Sequence, residues 1–330
     1  MRRDKPEDQR MSTKPAGAAA PFRPRRLGHV NLYVSDLDRS MDYFNAVVGL
    51  EEVYRRPPIK GGFLSNGNTH HDIGMVETSS PLCRTGRTGL NHLAFEMENE
   101  AALVAGYGRL VDPARAFPRT IDHDITRSIY GQDPDGNAVE IYADMHKDWR
   151  SRRTGDVTKE TPKWVPGDGT PAAEKNYHPA PEIRRVTNAA FHPERITHAA
   201  VVAADYEAEF DYYTGVLGLT PRIGGRESGF CALGGTMGSI DLTLFRTAEC
   251  GAEPGLHHIG FLVADEGDFE ASLATYRDRH GEPDAVVDSG FRCSVFLRDP
   301  DGIRLQFHTD RTDPVAGLAA LTPQSAFFAG

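Results

Sequence analysis

Cysteine is scarce in this chain. Of 330 residues only Cys83, Cys231, Cys250 and Cys293 are cysteines, and no two stand in C-x-x-C spacing. That argues against a disulfide framework or a four-cysteine zinc site and suits a reduced, cytoplasmic compartment. Positive charge is not in excess either: 37 Lys and Arg face 47 Asp and Glu, a formal net charge of −10. A chain built mainly to grip nucleic acid or anionic membrane would carry the opposite balance. No apolar run approaches the ~20 residues of a membrane-spanning helix. The opening MRRDKPEDQRMSTKPAGAAAPFRPRR has charge and proline but no apolar centre. Residues 1–25 are therefore read as a disordered tail and not as a secretory signal. Glycine pairs such as Gly224-Gly225 and Gly234-Gly235 lack the spacing of a dinucleotide loop, and no G-x-S-x-G element occurs. With 39% hydrophobic and 25% charged residues, the composition is that of an ordinary soluble globular protein.

What the chain does have is 13 histidines and an internal repeat. RLGHVNLYVSDLDRSMDYFNAVVGL returns as RITHAAVVAADYEAEFDYYTGVLGL, so His29 falls on His198 and Gly49-Leu50 on Gly218-Leu219. GLNHLAFEM returns as GLHHIGFLV and DPDGNAVEIY as DPDGIRLQFH, so His92 falls on His258 and Glu140 on Gln306. Blocks that return in the same order and at nearly one offset mark a duplicated domain.

Each copy divides again into a histidine-bearing strand, a helix and three shorter strands. GHVNLYV has strand content, Ser35 or Asp36 can cap the following helix, and Met41, Phe44 and Val48 recur on one helical face until Gly49 stops it. Strands are expected near Glu51–Tyr54, Gly62–Leu64 and His71–Val76. The second half repeats the order with GLNHLAFEM, a helix over Ala101–Leu110, then RTIDHD, RSIYG and NAVEIY. The expected fold is α+β, four βαβββ modules in two tandem domains over 26–145 and 195–309. An extended linker is expected over 146–194, with Trp164 anchored on a domain, and an irregular tail over 310–330. In that tail Leu321, Phe327 and Phe328 are candidates to dock on a neighbouring surface.

Three polar residues stand at matched places in the modules of the first copy: His29, His92 and Glu140. One lone histidine on a strand is most often a satisfied core side chain. Two imidazoles and a carboxylate on a rigid sheet have the composition of a facial triad, a common non-haem Fe(II) ligand set that leaves positions open.

The stretch IDHDITRSIYGQDPDGNAVE then carries Ile121, His123, Ile129, Tyr130, Asp133, Pro134, Gly136 and Glu140 in order. With four βαβββ modules, this resembles the vicinal oxygen chelate (glyoxalase/bleomycin resistance/dioxygenase) superfamily and, within it, the type I extradiol ring-cleaving dioxygenases. The resemblance implies an Fe(II)-dependent enzyme that opens a catechol-type ring beside its hydroxyls with O₂, with His29, His92 and Glu140 as metal ligands. Manganese stays open, because hard N and O ligands accept both metals. NTHHDIGM resembles the strand that carries the family's acid/base histidine, which places that role on His71. Strand alternation would send His70 to the opposite face. His123 and Tyr130 would hydrogen-bond the bound substrate.

The second copy has Gln306 opposite Glu140, Phe296 opposite Tyr130, Ser289 opposite His123, and SIDLTL opposite HHDIGM. It is read as a structural partner, with a glutamine-containing metal site through His198, His258 and Gln306 left open. Familiar two-domain extradiol enzymes keep the metal in the C-terminal domain, so its N-terminal placement here is a departure. Expected partners are the aromatic diol and O₂, in a homo-oligomer, with neither nucleic acid nor membrane. The rival readings are a glyoxalase-like metal-dependent isomerase or lyase, and a protein that sequesters aromatic compounds.

Overall fold

The computed structural model describes residues 19–329. In β1 (Arg26–Val34) every residue is buried, because this strand lies at the middle of a nine-stranded sheet. Asp36 accepts the Arg39 N–H at 3.0 Å and caps α1 (Leu37–Tyr43). One wider turn over Phe44–Val48 follows, and Gly49 ends it at φ 87°, in the left-handed region that suits glycine. Met41, Phe44 and Val48 are all buried, as their spacing predicts. Strands β2 (Glu51–Arg56), β3 (Gly61–Ser65) and β4 (Ile73–Glu77) complete the first module. The second runs β5 (Gly89–Glu96), α2 (Glu100–Gly108), α3 (Pro113–Ala116), β6 (Arg119–Asp122), β7 (Thr126–Gln132) and β8 (Ala138–Asp144). β1 and β5 pair antiparallel and join the modules, and β9 (Gly155–Asp156) from the connecting segment extends the edge beside β2. The strand order is β6-β7-β8-β5-β1-β4-β3-β2-β9.

The second domain repeats the plan. It contains β10 (Pro193–Ala203), α4 (Tyr206–Gly215), β11 (Thr220–Gly224), β12 (Phe230–Gly234), β13 (Leu242–Arg246) and α5 (Thr247–Cys250). Its last module is β14 (Gly255–Val263), α6 (Glu266–His280), β15 (Ala285–Asp288), β16 (Arg292–Arg298) and β17 (Arg304–Asp310). The order β11-β12-β13-β10-β14-β17-β16-β15 is that of the first sheet without β9. The chain is thus α+β, two sheet-dominated domains of two βαβββ modules each. Among the described residues no helix is long and apolar enough to cross a membrane.

A single apolar cluster joins the two domains, and its seam is symmetric. The buried Phe22 lays its carbonyl against Gly218, and Phe191 lays its carbonyl against Gly49, so a Cβ at either glycine would collide with that oxygen. Phe22 and Phe191 hold equivalent places in the repeat, as do Gly49 and Gly218, so each domain lends the segment before its first strand to the other.

That exchange corrects the tail expected over 1–25. Residues 1–18 lie outside the described residues, but Phe22 is fully buried against Phe117, and Arg25 and Arg26 each meet Glu96 at 2.7 Å. Around Trp164, which is buried, residues 146–194 run largely without regular structure. The C-terminal segment is also less irregular than expected. It forms α7 (Pro314–Ala319) and α8 (Pro323–Ala326), and buries Leu318 and Phe327 on the second domain. Phe328 stays 43% exposed.

Candidate metal centre

Residues opposite one another on neighbouring strands share a face. Register places Arg119 of β6 opposite Tyr130 of β7, Tyr130 opposite Glu140 of β8, Glu140 opposite Ala94 of β5, and Ala94 opposite His29 of β1. These five residues form one row across the sheet. Ala94 is the small member, which lets Glu140 reach past it. Glu140 Oε2 lies 3.1 Å from His29 Nε2 and 2.9 Å from His92 Nε2. Its other oxygen accepts the Tyr130 hydroxyl at 2.8 Å, and His123 Nε2 stands 2.9 Å from that hydroxyl. Since Tyr130 donates to the carboxylate, His123 must donate to Tyr130. Oε1 is thereby tied and Oε2 is turned to the two imidazoles.

The donor set fits a divalent metal. Three donors at ~2.1 Å from a metal and at right angles stand about 3 Å apart, which is the spacing between Oε2 and each imidazole nitrogen here. His92 Nε2 lies close to the carboxylate yet lacks the alignment of a hydrogen bond, as if aimed at a common point. The His92 Nδ1–H points to Asn91 Oδ1 at 3.1 Å, which fixes the tautomer that leaves the Nε2 lone pair available. All three side chains are buried. Glycine at position 28 matters too: a Cβ there would strike the Tyr142 hydroxyl, and the Tyr142 ring packs 5.0 Å from that of His29.

His71 is brought to the same place, its ring 4.0 Å from that of His29 and 4.9 Å from that of Phe63. Among the described residues neither His71 nitrogen has a hydrogen-bond partner, although both are buried. His70 corrects the sequence reading. β4 begins only at Ile73, so residues 70 and 71 lie in the bend before it, where alternation does not apply. The His70 ring also turns inward, 5.2 Å from that of His29, with Nδ1 3.4 Å from Asp144. His29, His70 and His71 thus make a second convergent set. The only sequence signal for His70 is its adjacency to His71.

The electrostatics follow from burial. Desolvation pushes His29 down to about 4 against the pull of Glu140, and pushes His123 down to about 3. It also drives His71 well below the ordinary imidazole value, with His29 and His70 adding to the effect. An acid/base role suggests titration near neutrality; the pocket instead keeps the His71 ring neutral. Burial and Glu140 hold Tyr130 well above the ordinary phenol range. Burial alone would raise Glu140, but contact with His29 and His92 wins and holds it well below the carboxylate range. Burial thus keeps His29, His71 and His123 neutral beside an ionised Glu140, and an unprotonated imidazole with an ionised carboxylate is what metal binding requires.

All six residues singled out from sequence (His29, His71, His92, His123, Tyr130 and Glu140) meet on one face of the first sheet. The chain belongs to the Glyoxalase/Bleomycin resistance protein/Dioxygenase superfamily, whose family model matches residues 26–141 and 195–307. Biphenyl-2,3-diol 1,2-dioxygenase 3 of Rhodococcus globerulus is 30% identical over 122 residues, covering 36% of this chain and 63% of that protein. Catechol-2,3-dioxygenase of Bacillus subtilis (strain 168) is 28% identical over 138 residues, 41% of this chain and 47% of that protein. The chain therefore spans less than two-thirds of the length of these relatives. Homoprotocatechuate 2,3-dioxygenase from Brevibacterium fuscum, in complex with 3,4-dihydroxyphenylacetate, shares the fold with a TM-score of 0.61 at 17% identity. That match covers 90% of this chain and 83% of the other.

Proposed function

We propose that this chain is an Fe(II)-dependent extradiol dioxygenase, working in the cytoplasm, that opens a catechol-type vicinal diol with O₂ in its N-terminal domain. The observation that carries this reading is the convergence of His29, His92 and one oxygen of Glu140 while Tyr130 ties the other. His29, His92 and Glu140 would hold the iron, which would supply Lewis acidity and one-electron redox chemistry for the diol and O₂. Tyr130 and His123 keep Glu140 aimed and stand where a substrate oxygen would approach. His71, neutral and without a hydrogen-bond partner, is placed to accept a proton at a ring nitrogen and return it later. Phe63 stacks on Tyr54 at 4.3 Å, and both rings border His71, giving the aromatic substrate an apolar wall.

Anaerobic purification, metal analysis and oxygen uptake against a panel of catechols form the test. One iron per chain and diol-dependent oxygen consumption are expected. A protein that binds metal but consumes no oxygen with any diol would point to an isomerase or lyase instead. Activity restored by manganese and not by iron would correct the metal alone.

A further inference from the structure

Three arginines face this site from different segments. Arg56 lies two residues along β2 from Tyr54, on the same strand face. Arg119 is the outer member of the cross-strand row and lies 4.6 Å over the Tyr130 ring. Arg153 is buried, donates to the His123 carbonyl and passes 5.9 Å from the Tyr54 ring.

Arginines close to Arg56 and Arg153 in sequence are paired with carboxylates. Arg55 meets Glu52 at 2.8 Å, Arg150 meets Glu51 at 2.9 Å and Arg152 meets Asp124 at 3.0 Å. Among the described residues none of Arg56, Arg119 and Arg153 has such a partner. Among those residues the buried Arg56 Nε has no hydrogen-bond partner, and Nη2 reaches the Lys159 carbonyl at 3.4 Å. Burial, together with repulsion from Arg153 and Arg119, disfavours the Arg56 charge, and Arg56 and Arg119 in turn act on His123. The three cations therefore share one electrostatic environment with the site. The second domain lacks this group along with the chemistry: Gly225 stands where Arg56 is and Ala285 where Arg119 is.

Resting on the proposed dioxygenase activity, we infer that Arg56 and Arg119, with Arg153 behind them, form an anion subsite that selects a catechol carrying a carboxylate on its ring or side chain. A guanidinium offers two parallel N–H groups that match a carboxylate, and a half-buried one without a counter-ion gains most from acquiring it. The diol oxygens would lie toward Glu140 and the histidines, and the carboxylate toward β2 and β6.

The test uses the iron-loaded full chain, with 3,4-dihydroxyphenylacetate and 3,4-dihydroxybenzoate as anionic probes and 4-ethylcatechol and 4-methylcatechol as neutral ones. Oxygen uptake gives kcat/KM for each, and anaerobic titration gives the dissociation constant. An anionic preference of about 10- to 100-fold, carried by KM, is expected, the range for a charged hydrogen bond. Arg56→Met should bring the ratio of anionic to neutral kcat/KM close to one. Arg119→Met, at an exposed position that cannot compromise folding to the same degree, should lower it by a smaller factor, and ~0.5 M salt should erode it. Equal or better use of the neutral diols would overturn the subsite while leaving the dioxygenase reading intact, as would a preference that survives both substitutions. No oxygen uptake with any diol would sink the dioxygenase reading and the subsite with it.

Discussion

The two domains carry the same row of positions with different occupants. In the first it reads Arg119, Tyr130, Glu140, Ala94, His29; in the second, Ala285, Phe296, Gln306, Gly260, His198, in the same register. Gln306 donates through Nε2 to Ser294 at 3.0 Å, and His198 Nδ1 stands 2.9 Å from Thr197, which itself bonds His308. The C-terminal segment then closes over this face: Phe327 packs 3.9 Å from the His257 ring and edge-on to Phe245. In the first domain the corresponding face is bordered by Tyr54, Phe63 and the unpaired arginines instead. A duplicated backbone thus preserves where side chains meet, and a handful of substitutions decides whether the meeting point is a charged centre or a neutral, apolar-lidded one.

Making the first row resemble the second is the sharpest way to break this comparison. Glu140→Gln should cause the largest loss. Metal affinity should fall by more than the ~10–100-fold typical of removing an outer partner of a ligand, with turnover lost and the circular dichroism unchanged. Full metal occupancy in that variant would end the case for the triad. His71→Asn comes next: it should keep the metal but lose about 10²- to 10⁴-fold in kcat, the range for a positioned proton-transfer group. Loss of metal there would instead promote the His29, His70 and His71 set. Tyr130→Phe copies Phe296 and frees Glu140 Oε1, so metal affinity should drop by ~10–100-fold in a competition titration.

A smaller effect is expected at the seam between the halves, where the fully buried Glu209 accepts the Asp135 N–H at 2.7 Å. Burial, with Asp133 and Asp135 nearby, pushes Glu209 up to about 10. A raised carboxyl pKa stabilises the folded state fully below the unfolded value near 4.3 and progressively less as pH climbs toward 10. Glu209→Gln, which imitates the protonated acid, should therefore raise the melting temperature at pH 8 by a few degrees and change it little at pH 4. The smallest effect belongs to His198→Gln, which should leave turnover and a stoichiometry of one metal per chain untouched. Two metals per chain, both needed for activity, would erase the asymmetry.

Much of this is legible in one dimension. The duplication, the four modules and the residues of the row follow from blocks that return in order, His29 on His198 and Glu140 on Gln306, and from strand and helix periodicities, which are local properties of the chain. The readings that need correction concern segments whose fate depends on distant partners. Residues 19–25 look like a tail because they continue a charged, proline-containing opening with no apolar centre, yet the Phe22 ring packs on Phe117 and its carbonyl lies against Gly218 of the other domain. His70 reads as facing away because alternation holds only inside a strand, and β4 starts only at Ile73.

By itself, then, the sequence determined that the protein is a repeat of βαβββ units with the His29, His92 and Glu140 set in one half and Gln306 in place of the carboxylate in the other, because motif spacing and hydrophobic period survive in one dimension. Only the tertiary structure decided that Tyr130 aims Glu140 through its outer oxygen, that both His70 and His71 turn inward, and that Arg56, Arg119 and Arg153 border the site with no ion-paired carboxylate among the described residues. Those facts depend on cross-strand register, a bend before a strand and segments far apart in the chain. Contacts of that kind are set when sheets pair and pack, and no local pattern encodes them.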